Sequence, residues 1–347
     1  MLSTDDHVEG ALADGVVRMD RQQYRGKHYQ VPIFDSAGPV ILTPDPARAR
    51  FARDPEQPVL RSLNGTWDLA QFLRPRKPVS LGALDDAEIA IFARPGVTRV
   101  LDMPIKFPDL AEYRLPRALA QLAPTLQRII DVEHTVNPDH VEYHAYLTID
   151  QGWVHPDSLH REAPCHVDGF QGARWHPRCR TNHSYTVSDV LPTAYYLQPF
   201  DFTGLDERVH DYFWEMNAQV ADTDGAHAWW PAPAEITLMD CYCVHRGVEA
   251  DARTFRTWMR LSFEERRRVF DRLGNAHNPL FDYAWEMVER DIEALHLRPF
   301  REDCDPSLRV FPWQALDGTA LPPGTPKTKP ALRPSFSPSS GARDRRP

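Results

Sequence analysis

The segment Arg256-Thr257-Trp258-Met259-Arg260-Leu261-Ser262-Phe263 alternates at every position, and no other feature restricts the fold of this chain so strongly. Alternation at period two marks a strand with two unlike faces. Thr257, Met259, Leu261 and Phe263 form an apolar face suited to a core; Arg256, Trp258, Arg260 and Ser262 form the other. This strand closes a zone, 141–263, of similar short segments. Tyr143 through Ile149, Tyr185-Thr186-Val187, Ala194 through Leu197 and Ile236 through Met239 are β-branched and aromatic, with Gly, Pro and Asn turns between them. Such a succession predicts a sandwich or jelly roll. On the inner face of a barrel, two guanidinium groups need anionic partners, because burying an unpaired charge is prohibitive.

The rest of the chain is arranged around that zone. Residues 25–115 are rich in Pro and mix short apolar runs (Val40-Ile41-Leu42, Ile89 through Phe92, Val100-Leu101) with turns, which predicts irregular α+β structure. Leu119, Leu122, Leu126, Ile129 and Ile130 fall at helical spacing, so a helix is expected over 117–133 that Pro124 must kink or split. Phe281, Ala284, Trp285, Val288, Ile292 and Leu295 predict an amphipathic C-terminal helix packed outside the sheet. The fold class expected is α+β, mainly β. Its parts are a loose acidic head over 1–20, an N-terminal α+β extension over 21–135, and a β core with its C-terminal helix over 136–300. A closing segment over 301–317 and a disordered Pro-rich tail over 318–347 complete it. The tail holds seven prolines and six Lys/Arg against one acid, so it carries +5 and the remainder −14.

Composition removes several function classes. A net charge of −9 argues against sequence-independent nucleic-acid binding. No stretch approaches the roughly 18 uninterrupted apolar residues of a membrane span. The opening MLSTDDHVEGALADG is acidic and lacks a basic-then-apolar export signal. Five cysteines are an odd and sparse set that suggests no disulfide framework. The expectation is a reduced, cytoplasmic globular protein; nothing in the sequence specifies its oligomeric state.

Candidate chemistry sits in Pro164-Cys165-His166-Val167-Asp168-Gly169-Phe170. On a strand, positions i and i+2 share a face, so the imidazole and carboxylate of His-x-Asp can bind one ion. A second His from elsewhere would complete a two-His, one-carboxylate triad that leaves three positions open on Fe(II). The motif alone is common: composition gives about two His-x-Asp/Glu matches by chance, and five occur, starting at His7, His140, His155, His160 and His166. His7 lies in the head, Pro156 interrupts the third, and His160 stands among loop residues; His140 opens a strand and stays in play. His166 is the best placed, with a β-branched residue between the ligands and Gly169 after them. The distal partner is His245, on a second short strand, Cys241 through Gly247, that follows Glu235 through Asp240.

The combination of His166-x-Asp168, His245, and arginines eleven and fifteen positions later resembles the Fe(II)/2-oxoglutarate-dependent oxygenases of the double-stranded β-helix (jelly roll) fold. Arg260-x-Ser262 resembles the Arg-x-Ser element of that superfamily, and the pair of arginines is most similar to the taurine-dioxygenase branch. The resemblance covers roughly 141–263. It implies a β-helix core with flanking helices, Fe(II) held by His166, Asp168 and His245, and 2-oxoglutarate and O2 as co-substrates. It also implies that Arg256 or Arg260 clamps the far carboxylate of 2-oxoglutarate, with Arg256 first; the other would meet an acidic group on a small, acidic or amino-acid-like substrate. The related halogenases lack a carboxylate at the Asp168 position, so Asp168 implies hydroxylation, or else desaturation or cyclisation. Gln171, Arg174 and Trp175 fall where this fold places a loop over the substrate, and Asn182, Tyr185 and Tyr195 are candidate donors to 2-oxoglutarate. Three alternatives stand beside this reading: an oxygenase acting on a protein side chain, a cupin-like metal- or sugar-binding module without turnover, and structural zinc held by Cys165, Cys241 and Cys243 with His.

Overall fold

The computed structural model describes residues 14–24, 27–51, 53–96, 99–156, 158, 160, 165–168, 180–206, 210–265, 276–282 and 314–321. Among them the chain is mostly sheet with few helices. The strands are β1 (Val16–Tyr24), β2 (Lys27–Phe34), β3 (Val40–Leu42), β4 (Val79–Ala83), β5 (Arg99–Lys106), β6 (Tyr113–Leu115) and β7 (His144–Val154). After them come β8 (His183–Ser188), β9 (Ala194–Tyr196), β10 (Ala228–Trp229), β11 (Glu235–Asp240), β12 (His245–Arg246) and β13 (Thr254–Glu264). The α-helices are α1 (Pro58–Ser62), α2 (Asp86–Phe92), α3 (Ala123–Val136) and α4 (Tyr212–Asp222).

A six-stranded sheet in the order β4-β11-β8-β13-β7-β5 is antiparallel throughout. A smaller sheet, β10-β9-β12, faces it. The alternation read in the sequence decides which side of β13 goes where. Met259, Leu261 and Phe263 join Leu126, Ile129 and Ile130 of α3 in the main hydrophobic core. Arg256, Trp258, Arg260 and Ser262 lie on the opposite face, toward the small sheet, and all four are buried. Residues 79–106 supply both edge strands of the large sheet, because β4 pairs with β11 and β5 with β7. Extension and core therefore share one sheet.

Pro124 splits the helix expected over 117–133. Arg117–Leu122 is a 3-10 turn, and α3 starts afresh at Ala123 with the proline in its first turn, where a missing N–H costs nothing. The run Ile89 through Phe92 is helical, as the end of α2, whose start carries a capping box between Asp85 and Glu88. Cys241 through Val244 is a turn, and only His245–Arg246 pairs as strand. β1 begins inside the region assigned to the acidic head. Within the closing segment and tail, Gln314 bridges to His210 and Ala320, and Leu321 is buried. The C-terminal helix expected from Phe281 to Leu295 lies, from residue 283 on, outside the described residues, as does the tail beyond 321.

The far side of the large sheet carries its own polar anchor. Glu133 of α3, fully buried, accepts from His183 Nε2 at 2.9 Å, from Tyr185 Oη at 2.9 Å and from Asn137 Nδ2 at 2.7 Å. Burial alone would raise the Glu133 carboxyl, but the charge of His183 and these three hydrogen bonds hold it below its ordinary value. Tyr185 is thereby engaged with α3 on the face away from the small sheet, which corrects its candidacy as a 2-oxoglutarate donor.

Candidate metal centre

Two rows of side chains face each other between the sheets. Across the small sheet, Trp229 pairs with Tyr195, Tyr195 with His245, and His245 with His166. Across the large sheet, Thr237 pairs with Thr186, Thr186 with Arg260, and Arg260 with Thr148. Directly opposed residues in a ladder share a face, so each row points one way. The rows meet: the Tyr195 and Thr186 hydroxyls are 3.1 Å apart, and Arg260 Nη1 donates to Asp168 Oδ2 at 2.5 Å.

The three candidate ligands are assembled by strand geometry. His166 and His245 exchange both backbone hydrogen bonds, at 3.0 and 2.9 Å, which makes them a directly opposed antiparallel pair. Their rings accordingly lie 4.4 Å apart, centre to centre. Asp168, two residues after His166, returns to the same face. Its Oδ1 is 3.9 Å from His166 Nε2, and its Oδ2 is 3.9 Å from His245 Nε2. One donor atom from each of the three lies within 4.8 Å of the others, and among the described residues this is the only such group of three or more. His245 Nδ1 sits 2.9 Å from the Cys243 carbonyl and can only donate to it, so Nε2 keeps its lone pair for an ion.

Neighbouring elements hold these ligands in place. The side-chain amide of Asn217, on α4, brackets the peptide of Cys165: its Oδ1 accepts from Cys165 N at 3.1 Å, and its Nδ2 donates to Cys165 O at 3.2 Å. This fastens the residue before His166 to a helix. The turn before His245 is gathered by Asp240, which accepts from Ser62 Oγ (2.6 Å), Arg76 Nη1 (3.0 Å), Tyr242 N (3.0 Å) and Cys243 Sγ (3.3 Å). The Arg76–Asp240 ion pair is buried on both sides.

The electrostatics suit a cation. Burial would raise the Asp168 carboxyl, but the Arg260 guanidinium, and after it His245 and His166, hold it well below the usual carboxylate range. A carboxylate that stays ionised and two imidazoles make a mixed nitrogen–oxygen donor set. The cysteines behave otherwise. Burial pushes the Cys165 thiol up to about 11 and raises Cys241 and Cys243 well above the ordinary range. None of the three belongs to the ligand cluster, and Cys243 donates to Asp240, so the cysteine–zinc alternative has no geometric basis among the described residues.

The two arginines are placed very differently. Arg256 donates from Nε to the carbonyls of Val190 (3.3 Å) and Leu191 (3.1 Å), and its Nη1 is 3.3 Å from His160 Nδ1. His160 Nε2 in turn approaches Asp150 Oδ1 at 3.4 Å, so a residue read from sequence as loop filler stands beside the first clamp candidate. Arg260 is engaged at both ends by acids, Asp168 through Nη1 and Asp102 through Nη2 at 3.1 Å. Of the other candidates, Tyr195 lines the space between the sheets, with Thr237 Oγ1 3.5 Å from its hydroxyl, and Asn182 is buried just before β8. His140 lies in a 3-10 turn outside the cluster. Gln171, Arg174 and Trp175 lie outside the described residues.

A scan against protein-family models gives no match, and neither does a search of curated proteins. Among solved structures, the chain is similar to EvdO2 from Micromonospora carbonacea var. aurantiaca complexed with 2-oxoglutarate. The identity is 14% over 62% of this chain and 91% of that one, with a TM-score of 0.35. It is similar to HygX from Streptomyces hygroscopicus with nickel and 2-oxoglutarate bound, at 12% identity over 62% and 88%, TM-score 0.33. It is also similar to EctD from S. alaskensis with bound Fe, at 16% identity over 73% and 95%, TM-score 0.34. All three likenesses are distant in sequence and in backbone superposition. Among the described residues no helix is long and apolar enough to cross a membrane.

Proposed function

We propose that this protein is an Fe(II)- and 2-oxoglutarate-dependent oxygenase with a double-stranded β-helix core, acting on a small-molecule substrate. The observation that carries the proposal is the convergence of His166, Asp168 and His245 within 4.8 Å, on one face between two opposed sheets. The residues fit the ion: two imidazoles and one ionised carboxylate are the donor set of a facial triad, which leaves positions for a chelating co-substrate and oxygen. His166, Asp168 and His245 would hold the iron. Bound together with 2-oxoglutarate and O2, the iron supplies oxidative decarboxylation to succinate and CO2 and oxidation of a C–H bond.

The chain's own residues bind and orient. Arg256 receives the far carboxylate of 2-oxoglutarate, because its neighbour Arg260 is already engaged by two carboxylates. Arg256 stands opposite Gly152, where the missing side chain leaves room that His160 borders. The hydroxyls of Thr186, Thr237 and Tyr195 offer hydrogen-bonding capacity without charge along the same space. The expectation of an acidic group on the substrate rests on the second arginine alone, and the engagement of Arg260 by Asp168 and Asp102 removes that reason. The Asp168 carboxylate supports hydroxylation, desaturation or cyclisation over halogenation.

The test is aerobic incubation of the full chain with Fe(II) and 2-oxoglutarate, with succinate as the readout. The expected result is Fe(II)-dependent succinate formation that falls by at least about 100-fold in His245→Ala, since an open metal site with a missing ligand cannot organise the reaction. Succinate formation that is equal in wild type and variant, or independent of iron, contradicts the proposal.

A further inference from the structure

The arginine beside the metal cluster has a second acidic partner, and the backbone is deformed to provide it. β5 carries a bulge between Val100 and Met103 where it pairs with β7. A bulge re-aims side chains, and here Asp102 is turned between the sheets. Asp102 adopts φ of 43°, a left-handed conformation that is strained for a non-glycine residue. The Thr148 hydroxyl stabilises this arrangement on both sides. It accepts from Asp102 N at 3.1 Å and donates to Asp102 Oδ1 at 3.1 Å. That same Oδ1 accepts from Arg260 Nη2 at 3.1 Å, while Arg260 Nη1 reaches Asp168 Oδ2. Asp102 is 3% and Arg260 6% exposed, so the chain Thr148–Asp102–Arg260–Asp168 runs through the interior.

We propose that Arg260 is a positioning residue for the metal-ligating carboxylate: anchored from behind by Asp102, it claims Asp168 Oδ2 and leaves Oδ1, the oxygen nearer His166, for the ion. This rests on the oxygenase reading and assigns a role to a residue that otherwise competes for the 2-oxoglutarate clamp. A guanidinium fork is rigid, so two of its nitrogens bound to two carboxylates fix the angle between them. The acid behind it also offsets its charge. Without Asp102, a full positive charge would face the ion across Asp168.

The two ways Arg260 can matter have opposite signs. A mere charged neighbour repels a dication, so its removal would tighten metal binding. An anchor orients a ligand, so its removal weakens binding by about 10–100-fold. The experiment is anaerobic titration of the full-length metal-free protein with Fe(II) alone, followed by titration of the loaded protein with 2-oxoglutarate. In Arg260→Gln, the metal Kd is expected to rise by about tenfold or more, while the 2-oxoglutarate Kd of the loaded protein stays within about twofold; Arg260→Lys is expected to recover part of the loss. In Asp102→Asn, whose amide keeps an oxygen toward Arg260, the metal Kd is expected to rise by at least about threefold. Should Arg260→Gln not fold, Asp102→Asn alone decides the matter. Unchanged or tighter metal binding in the folded variant overturns the proposal, as does a 2-oxoglutarate Kd raised with the metal Kd unchanged. Absence of metal binding in the wild type is a separate outcome, and it overturns the oxygenase reading itself.

Discussion

Arg256→Gln is expected to raise the Kd for 2-oxoglutarate by about 100-fold in the metal-loaded protein, and to leave the metal Kd within about twofold. Hydrogen bonds to a charged partner contribute about 1.5–3 kcal/mol, and a guanidinium–carboxylate pair between sheets lies at the upper end of that range. The residue is presented for the task. Its Nε is tied to the Val190 and Leu191 carbonyls, and Leu191 itself sits at φ 48°, so the loop after β8 is bent to reach it. His160 supports Nη1 from the other side. These partners, Val190, Leu191 and His160, are distinct from the three ligands, so the metal site should survive the loss of Arg256. Measuring both dissociation constants on one preparation checks the split. If Arg256→Gln binds 2-oxoglutarate normally, the assignment of the clamp is wrong.

Asp240→Ala is expected to destabilise the protein by about 3–5 kcal/mol, the usual cost of removing one partner of a buried ion pair. Arg76 would keep its contacts to the Pro58 carbonyl and Gln71, but its charge would lose the carboxylate that offsets it. The same change releases Ser62, Tyr242 N and Cys243 Sγ, which together shape the turn into His245. Urea unfolding should therefore show a lower midpoint at an unchanged slope, and the folded variant should bind metal more weakly than wild type. An Arg76→Met/Asp240→Leu double variant should recover much of the lost stability, because replacing a buried pair by apolar groups of similar volume is often close to neutral. A midpoint within experimental error of wild type for Asp240→Ala would refute the claim that this pair holds the turn.

The candidate site was legible wherever side-chain type and spacing alone do the chemistry. His166-x-Asp168 announces a shared strand face, and the alternation of 256–263 announces that two arginines point away from the core. His245 was legible as the distal partner, but its direct opposition to His166 was not, since register across a long connection is decided by tertiary contacts. Asp102 and Asn217 carried no readable signal, and Asp240 reads only as an acidic turn residue ending a strand. Asp102 works through a bulge, Asn217 through an amide laid against a distant peptide, and Asp240 through partners far away in the chain, such as Ser62 and Arg76. The edge strand β5 escaped for a different reason. β5 is buried along almost its whole length, so it lacks the alternation that marks a half-exposed strand, and Pro104 and Lys106 disguise it further. Lys106 is nonetheless fully buried, its ammonium satisfied by the carbonyls of Phe107, His140 and Tyr143. Cys241 through Val244 read as strand because its side chains are apolar; the acceptor oxygens of Asp240 bend it into a turn.

The central claim is that His166, Asp168 and His245 hold one iron to which 2-oxoglutarate chelates. Its most direct test is anaerobic titration of the protein with Fe(II) and then 2-oxoglutarate, following the weak visible charge-transfer absorption of the chelate. A band that appears in the wild type at one equivalent of iron and is lost in His166→Ala and His245→Ala is the expected result. Iron bound with no such band, or a band that persists in both variants, contradicts the account.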